Sequence, residues 1–470
     1  MGQEGEIHFG TDGWRAVMAE DFTFENVGRV TQAAADFFGR RKGAKRMVIG
    51  YDRRFLSNQF AAASADVLCK NGYEVILTDR PTPTPAISHA VVTQKARGGI
   101  VLTASHNPPR FNGFKLKDHH GGPASPELCA EVESFLGKGK PQSPSSKRSG
   151  RVKTVNILPG YFYELKKLVD FEAISRSGIK LGHDALFGAG AGCMNDLLAG
   201  TSCHVQTYNG CHDPHFGGLS PEPIPQNYGT TSKALEKNPV DFCLVTDGDA
   251  DRIGGMDGRG EPLTTHQIIS LLLDHFVMNR RGRGKVVKAL TTTSMVDKIC
   301  EDHGLPLIET GVGFKYICAE ILKGKVLLGF EESGGIGFPD HLPERDGILA
   351  GLMVLEMLAV ERRSLTSLLR RLEKSYGPHR YRRADLHYPL NKRASLMRHC
   401  SQNPPTKLLG SPICRIDEYD GVKLTAANGS WLMWRGSGTE PVLRIYAEAN
   451  TEDRVRKLLS LGKKVANKFA

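Results

Sequence analysis

The chain has 470 residues, 40 % hydrophobic and 24 % charged, the mixture of an ordinary folded protein rather than a disordered chain, a fibre or a small disulfide scaffold. At about 150 residues per domain, that length holds roughly three domains. Lys plus Arg number 62 against 51 Asp plus Glu, a formal net charge of +11. Such an excess suits nucleic acid, an anionic surface or a phosphorylated small molecule without choosing among them.

The ten cysteines are scattered with no C-x-x-C pair, so neither a zinc site nor a disulfide framework is signalled. The opening MGQEGEIHFG lacks a basic stretch followed by an apolar one. The longest apolar run, 347–360, carries Glu356 and has helical spacing, short of the roughly 18 residues of a membrane span. A cytoplasmic protein is expected.

In chain order, the spacing predicts a helix over 26–41 with Val27, Val30, Ala34 and Phe37 on one face. A buried strand follows at 46–51, then a helix at 60–71 and strands at 73–78 and 99–104. The last of these runs straight into Ser105-His-Asn-Pro-Pro. Residues 137–153, rich in Pro, Ser, Gly and basic side chains, read as an exposed connection. A second unit has a helix at 158–169, a strand at 178–183, and a strand at 240–246 ending on Asp247-Gly-Asp-Ala-Asp-Arg. A third has a helix at 266–279, a strand at 285–290, and a strand at 326–330 meeting Glu331-Glu-Ser-Gly-Gly. Charged residues over 362–383 and then 389–405 are expected to separate a last region. That region holds Trp431-Leu-Met-Trp-Arg435, a loop, a strand-like run at 442–448 and a terminal helix. Alternating strands and helices specify an α/β class. Three apolar strands ending in polar, Gly-containing loops, with a fourth loop from the last region, imply one shared site, because ligands gather at the carboxyl ends of such strands.

Ser105 follows a strand directly, where a hydroxyl can be presented as a nucleophile. A bare strand-end serine is also a common turn residue bonding its own backbone. Lys115, close behind in Asn112-Gly-Phe-Lys, can return an amine to the same loop, where it could move protons if its pKa is lowered. Asp247, Asp249 and Asp251 place three carboxylates at alternate positions, a set for one hard cation such as Mg²⁺. The alternative is an acidic surface loop. A calcium-binding helix-loop-helix is excluded because Gly258 stands where its glutamate would be. Arg252 is placed to hold a phosphate. Glu331 and Ser333 offer groups that grip sugar hydroxyls, or else cap a helix. Gly311-Val-Gly-Phe-Lys315 reads as a turn entering a helix. Arg435-Gly-Ser-Gly-Thr-Glu-Pro, with Arg444 on the next strand, has the glycines, hydroxyls and guanidiniums of a phosphate cradle.

These motifs, in this order and beginning with Phe9-Gly-Thr-Asp-Gly-Trp-Arg15, resemble the α-D-phosphohexomutase family of phosphoglucomutases and phosphomannomutases. The resemblance implies four domains around a central cleft, three related α/β units plus a distinct α+β C-terminal domain, with boundaries at 1–152, 153–258, 259–372 and 373–470. It implies an isomerase that interconverts hexose 1- and 6-phosphates of glucose or mannose through a phosphoserine and a bisphosphorylated sugar. Phosphoglucosamine mutase and phosphopentomutase are the close alternatives. By the same resemblance Ser105 is the phosphorylated serine and also a metal ligand, with Asp247, Asp249 and Asp251 holding Mg²⁺. Arg15 and Lys115 serve the reacting phosphoryl group, Lys115 as general acid/base. Arg252, Gly313, Phe314, Glu331 and Ser333 bind the sugar phosphate, and Arg435, Ser437, Gly438, Thr439 and Arg444 hold the phosphate that is not transferred. A bisphosphorylated sugar such as glucose 1,6-bisphosphate is the implied activator. Gly335 departs from members with a histidine there, and the loop 310–315, the family's region for telling sugars apart, matches no one substrate class. Sugar phosphates are the expected partners. A nucleic-acid-binding protein or a non-catalytic sugar-phosphate sensor is the alternative of another class. The densest basic cluster, Lys147, Arg148, Arg151 and Lys153, lies in the connection, with no basic face interleaved with aromatics, so neither nucleic acid nor membrane is expected as a partner.

Overall fold

The structure, a computed structural model, describes residues 7–10, 12–139, 150–436 and 441–469. They cluster into two compact units, one of residues 1–284 and 313–366, the other of 285–312 and 367–470.

The first unit begins with a six-stranded sheet: β1 (Trp14–Val17), β2 (Arg46–Tyr51), β3 (Glu74–Thr78), β4 (Gly98–Leu102), β5 (Phe111–Asp118) and β6 (Arg151–Val155). The order is β1-β5-β4-β2-β3-β6, with β4, β2, β3 and β6 parallel and β5 antiparallel to β4 and β1. Residues of β2 and β4 are buried on both faces, as parallel strands covered by helices are. Helix Phe24–Gly39 starts where the Thr23 hydroxyl accepts the Asn26 N–H, and its apolar stripe packs with Phe60, Phe114 and Leu116. Val101 pairs with Lys115 across β4 and β5, so the lysine expected to return its amine to the serine loop stands on a strand. The alternation Phe114, Lys115, Leu116, Lys117 is a period-2 signal that the turn-like Asn112-Gly113 obscures. The connection 137–153 is likewise shorter than expected, since its end already forms β6; residues 140–149 are outside those described.

A second sheet follows with β7 (Lys180–Asp184), β8 (His204–Tyr208), β9 (Phe242–Thr246), β10 (Ile253–Asp257) and β11 (Pro262–Leu263), in the order β11-β10-β9-β7-β8. The parallel pair β12 (Lys285–Ala289) and β13 (Leu307–Thr310) belongs to the second unit. The antiparallel pair β14 (Val326–Phe330) and β15 (Ile336–Gly337) belongs to the first. Helix Gly347–Glu361 is buried along nearly its whole length.

The second unit is built on an antiparallel sheet of β16 (Arg380–His387), β17 (Lys407–Leu408), β18 (Ser411–Asp417), β19 (Val422–Ala426), β20 (Trp431–Gly436) and β21 (Val442–Ala449), in the order β16-β21-β20-β19-β18-β17. Helix Glu452–Asn467 covers it with Val455, Leu458 and Leu459. The expectation that 362–405 merely separates regions is corrected here. This stretch carries helices Leu365–Tyr376 and Arg393–Gln402, and β16 pairs along the whole length of β21. As an edge strand β16 shows charged residues to solvent, which hides the strand signal in the sequence. Among the described residues no helix is long and apolar enough to cross a membrane.

Candidate functional site

In the first unit, the chain leaves β4 through Thr103 and turns sharply at Ser105, whose φ of 51° is left-handed. A left-handed serine is strained and persists only where its surroundings over-determine it. Arg54, wholly buried, does so. Its Nη1 donates to the carbonyls of Pro108 (2.9 Å) and Phe111 (3.0 Å), and its Nη2 to those of Ser105 (2.7 Å) and Asn107 (2.6 Å). Asp52 holds Arg54 Nε at 3.1 Å and accepts the Thr103 hydroxyl at 2.6 Å. The Ser105 N–H itself donates to Thr103 Oγ1 at 2.9 Å.

The acidic loop after β9 closes on this turn. A Cβ at Gly248 would lie 2.5 Å from the Ser105 carbonyl, so only glycine lets the two loops come this close. Ala250 in the same loop is also left-handed, at φ 56°. The Ser105 hydroxyl donates to Asp247 Oδ2 at 2.9 Å. Asp247, Asp249 and Asp251 are fully buried, with one oxygen from each lying within 4.8 Å of the others. Asp249 Oδ2 accepts from the Thr84 hydroxyl (2.7 Å), and the Asp249 carbonyl accepts the Thr84 N–H (2.9 Å) at the start of helix Thr84–Thr93. The second oxygens, Oδ1 of Asp249 and of Asp251, are buried without a hydrogen-bond partner.

Oxygen-only donors, three converging carboxylates and two unpartnered buried oxygens fit a hard divalent cation such as Mg²⁺. Burial, and then Asp251 and Asp249, raise the pKa of Asp247 well above its ordinary value; carboxylates gathered so closely need a cation or a proton.

Lys115, on β5, reaches Asp12 Oδ2 and Asp249 Oδ2, each at 2.8 Å, and Asp251 Oδ2 at 3.2 Å. Burial alone would lower its pKa, but these three carboxylates outweigh it and raise the pKa above the usual lysine value. The lowered pKa expected for general base work is therefore absent; Lys115 is held as an ammonium. Arg15, on β1, donates to Asn107 Oδ1 at 2.6 Å and lies 3.4 Å from Asp12 Oδ2. Arg252 Nε sits 3.7 Å from Asp251 Oδ1 and 4.0 Å from Asp247 Oδ2.

Sequence reasoning missed Arg345. Its Nη2 reaches Asp251 Oδ2 at 2.7 Å and Asp12 Oδ2 at 2.9 Å, and its Nη1 reaches Glu331 Oε2 at 3.3 Å. Glu331 is buried, which raises its pKa despite Arg345 and Arg252. Ser333 is half-buried in the same turn. A Cβ at Gly335 would come within 2.4 Å of Arg345 Cδ and 2.8 Å of Glu331 Oε2, so Arg345 fills the space that a larger residue at 335 needs. Gly313 (φ 134°) precedes helix Phe314–Leu322. Phe314, expected to touch substrate, is instead buried at 3 % exposure; Arg345 stacks on it at 5.5 Å from the ring centre, and Gly337 leaves room for it. The structure thus makes Phe314 a packing residue under Arg345. The available signal for Arg345 was its place between Glu344 and Asp346 at the start of a buried helix, although a guanidinium there reads equally as a surface charge.

In the second unit, Arg435 on β20 and Arg444 on β21 are direct cross-strand partners. Asp420 Oδ1 accepts Arg435 Nε at 3.0 Å, and Asp385 Oδ2 lies 3.7 Å from Arg444 Nε. Like charges set directly opposite each other across a ladder are unfavourable without opposite charge nearby, which Asp420 and Asp385 supply here. Ser437, Gly438 and Thr439 lie outside the described residues.

Comparison with known proteins matches all four domains of one family: phosphoglucomutase/phosphomannomutase α/β/α domain I over residues 6–143, domain II over 159–260, domain III over 264–376, and the C-terminal domain over 404–460. A phosphoglucomutase/phosphomannomutase of Thermococcus kodakarensis is 30 % identical, covering 97 % of this chain and 98 % of its own. A phosphoglucosamine/phosphogalactosamine mutase of Sulfurisphaera tokodaii is also 30 % identical, with the same coverage. A solved structure from Thermus thermophilus, assigned as a phosphomannomutase, is 36 % identical with a TM-score of 0.87, covering 99 % of this chain and all of that one. The fold is therefore that of the mutases with three α/β/α domains and an antiparallel-sheet C-terminal domain, and the protein is an enzyme, an isomerase. The chain belongs to the phosphoglucomutase/phosphomannomutase family of α-D-phosphohexomutases.

Proposed function

We propose that this enzyme interconverts hexose 1-phosphate and hexose 6-phosphate, with glucose or mannose as the sugar, using Ser105 as phosphoryl carrier. The observation that carries the reading is the Ser105 hydroxyl 2.9 Å from Asp247, in a fixed turn beside three buried carboxylates. Phosphorylated Ser105 gives its phosphoryl group to the free 6-hydroxyl of a hexose 1-phosphate: the serine O–P bond breaks, an O6–P bond forms, and the proton lost by the 6-hydroxyl ends on the freed Ser105 oxygen. The resulting 1,6-bisphosphate turns over, and its 1-phosphoryl group returns to Ser105, leaving hexose 6-phosphate. Such transfers rest on positioning and charge stabilisation more than on proton chemistry. Asp247, Asp249 and Asp251 would hold Mg²⁺, which supplies Lewis-acid withdrawal of charge from phosphoryl oxygens. Lys115 and Arg15 place positive charge beside the transferred group, and Lys115, held as an ammonium, is the proton donor to the leaving sugar oxygen. Glu331 and Ser333 grip sugar hydroxyls, Arg252 steadies the phosphoryl group, and Arg435 and Arg444, with Ser437, Gly438 and Thr439, hold the other phosphate. Glucose 1,6-bisphosphate is the proposed activator, and the cytoplasm the proposed compartment.

A second reading, phosphoglucosamine mutase, is favoured by the 30 % identity to the S. tokodaii enzyme, equal to that of the glucose/mannose relative. Coupled assays on glucose, mannose and glucosamine 1-phosphates decide between them. For the carrier itself, Ser105→Ala is expected to lose nearly all mutase activity while remaining folded, and intact-mass analysis of the wild type to place a phosphoryl group on Ser105. Wild-type turnover by the alanine variant rejects the mechanism.

A further inference from the structure

Arg435 and Arg444 face each other as like charges, so each needs a partner that fixes its side chain without occupying the anion's place. For Arg435 that partner is Asp420, bonded through Nε at 3.0 Å. A bond at Nε fixes the plane of the guanidinium and is compatible with an anion on its terminal amino groups. The other oxygen of the same carboxylate, Oδ2, accepts the Val312 N–H at 2.7 Å. Val312 follows β13 in the turn whose start is tied back by the Leu290 N–H to the Thr310 carbonyl at 2.9 Å.

Asp420 is itself set by its neighbour. Gly421 has φ 102°, and a Cβ there would lie 2.4 Å from the Trp434 carbonyl and 3.2 Å from Arg435 Cα. Only glycine lets the turn before β19 press so closely against the end of β20, delivering the Asp420 carboxylate to the arginine one residue further on.

We propose that Asp420 is a positioning residue for substrate recognition: one carboxylate orients the phosphate-binding Arg435 and anchors Val312 just after β13. The inference rests on the reading of Arg435 as a phosphate ligand. Asp420 does not bind the substrate, since a carboxylate repels a phosphate; it acts through the two groups it holds.

The test uses the full chain with Asp420→Asn, Asp420→Ala, Asp420→Glu and Arg435→Ala. Inorganic phosphate affinity is measured by calorimetry, and KM and kcat with glucose 1-phosphate and glucosamine 1-phosphate. Asp420→Asn keeps an acceptor for Val312 but loses the ion pair. It is expected to weaken phosphate binding and raise KM about tenfold, with kcat changed by less than about twofold, the pattern of lost uniform binding. Asp420→Glu keeps the charge and is expected to recover part of that loss. Asp420→Ala also frees Val312 and is expected to weaken phosphate binding at least as much as Asp420→Asn, for either sugar phosphate. Should the alanine variant not fold, the near-isosteric asparagine variant decides. Weakened phosphate binding in Arg435→Ala with unchanged or tighter binding in Asp420→Asn overturns the inference and leaves the phosphate reading standing. Unchanged binding in Arg435→Ala removes both.

Discussion

Arg54 does more to fix the serine turn than any residue within the turn. Four carbonyls from Ser105 to Phe111 converge on one guanidinium, and no other side chain spreads donors in such a fork. Arg54→Lys keeps the charge opposite Asp52 but can meet only some of these acceptors. Losing charge-assisted bonds to buried carbonyls costs on the order of 2–3 kcal/mol. A lower urea midpoint is expected, together with a lower phosphoserine content by intact mass, because the left-handed Ser105 loses its clamp; an unchanged midpoint and phosphorylation refute the clamp. His183 gives a pH signature. It is buried on β7 with Nε2 3.1 Å from Thr246 Oγ1, and burial pushes its pKa from 6.5 to about 4. The unfolded chain binds the proton first, so stability is full above pH 6.5 and falls as pH drops toward 4, by roughly 3 kcal/mol from this residue. His183→Gln should flatten that part of the stability profile, and an unaltered slope between pH 6.5 and 4 argues against it. That Ser105 and the three aspartates come together was legible in the sequence, because each lies in a polar loop directly after an apolar strand. Arg54 and Arg345 were not: among 62 basic residues, only tertiary contacts tell a buried guanidinium from a solvated one.

At the scale of elements, helix Gly347–Glu361 was read correctly from its spacing, and Glu356 within it now has a reason. The Glu356 carboxylate accepts from His275 Nε2 at 3.0 Å and from the Asp170 N–H at 2.9 Å, and it pairs with Arg280 at 3.1 Å. It thereby ties this helix to helix Thr265–Met278 and to the start of helix Phe171–Ser175. Glu356→Ala leaves a buried imidazole and a half-buried guanidinium without their acid, a loss of about 3 kcal/mol or more. Equilibrium unfolding should register it, with KM for the sugar phosphate little changed in the folded fraction. A stability loss under about 0.5 kcal/mol would mean that the carboxylate is merely tolerated. Strands were harder than helices to read. Buried β2 and β14 stood out as apolar runs and were placed at their true bounds. β5, buried on both faces, was hidden by its turn-like start and its two buried lysines, and β16 by its exposed charged residues.

For the whole molecule, the order of motifs along the chain was readable, whereas the grouping of residues 285–312 with those after 367 depends on packing that no linear segmentation contains. The charge excess was readable only as a total. The cluster in the first unit does not express that excess, since its five acids, Asp12, Asp247, Asp249, Asp251 and Glu331, are interleaved with four bases, Arg15, Lys115, Arg252 and Arg345. Burying so many charges is costly unless each is well partnered, and the second oxygens of Asp249 and Asp251 have no hydrogen-bond partner. A divalent cation that binds these oxygens in the folded state alone must stabilise the fold. At a hundred times its dissociation constant the gain is about 2.7 kcal/mol. Adding Mg²⁺ to metal-stripped enzyme should therefore raise Tm in a saturable manner, and a chelator should reverse it. Asp249→Asn should remove most of that increment. The variant also weakens the bonds to Thr84 and Lys115 and so starts from a lower Tm, which makes the Mg²⁺-induced shift, and not Tm itself, the quantity to compare. Matching NaCl by ionic strength separates site binding from general screening. Equal Mg²⁺ shifts in wild type and Asp249→Asn would place the cation elsewhere and leave the three aspartates as an acidic turn.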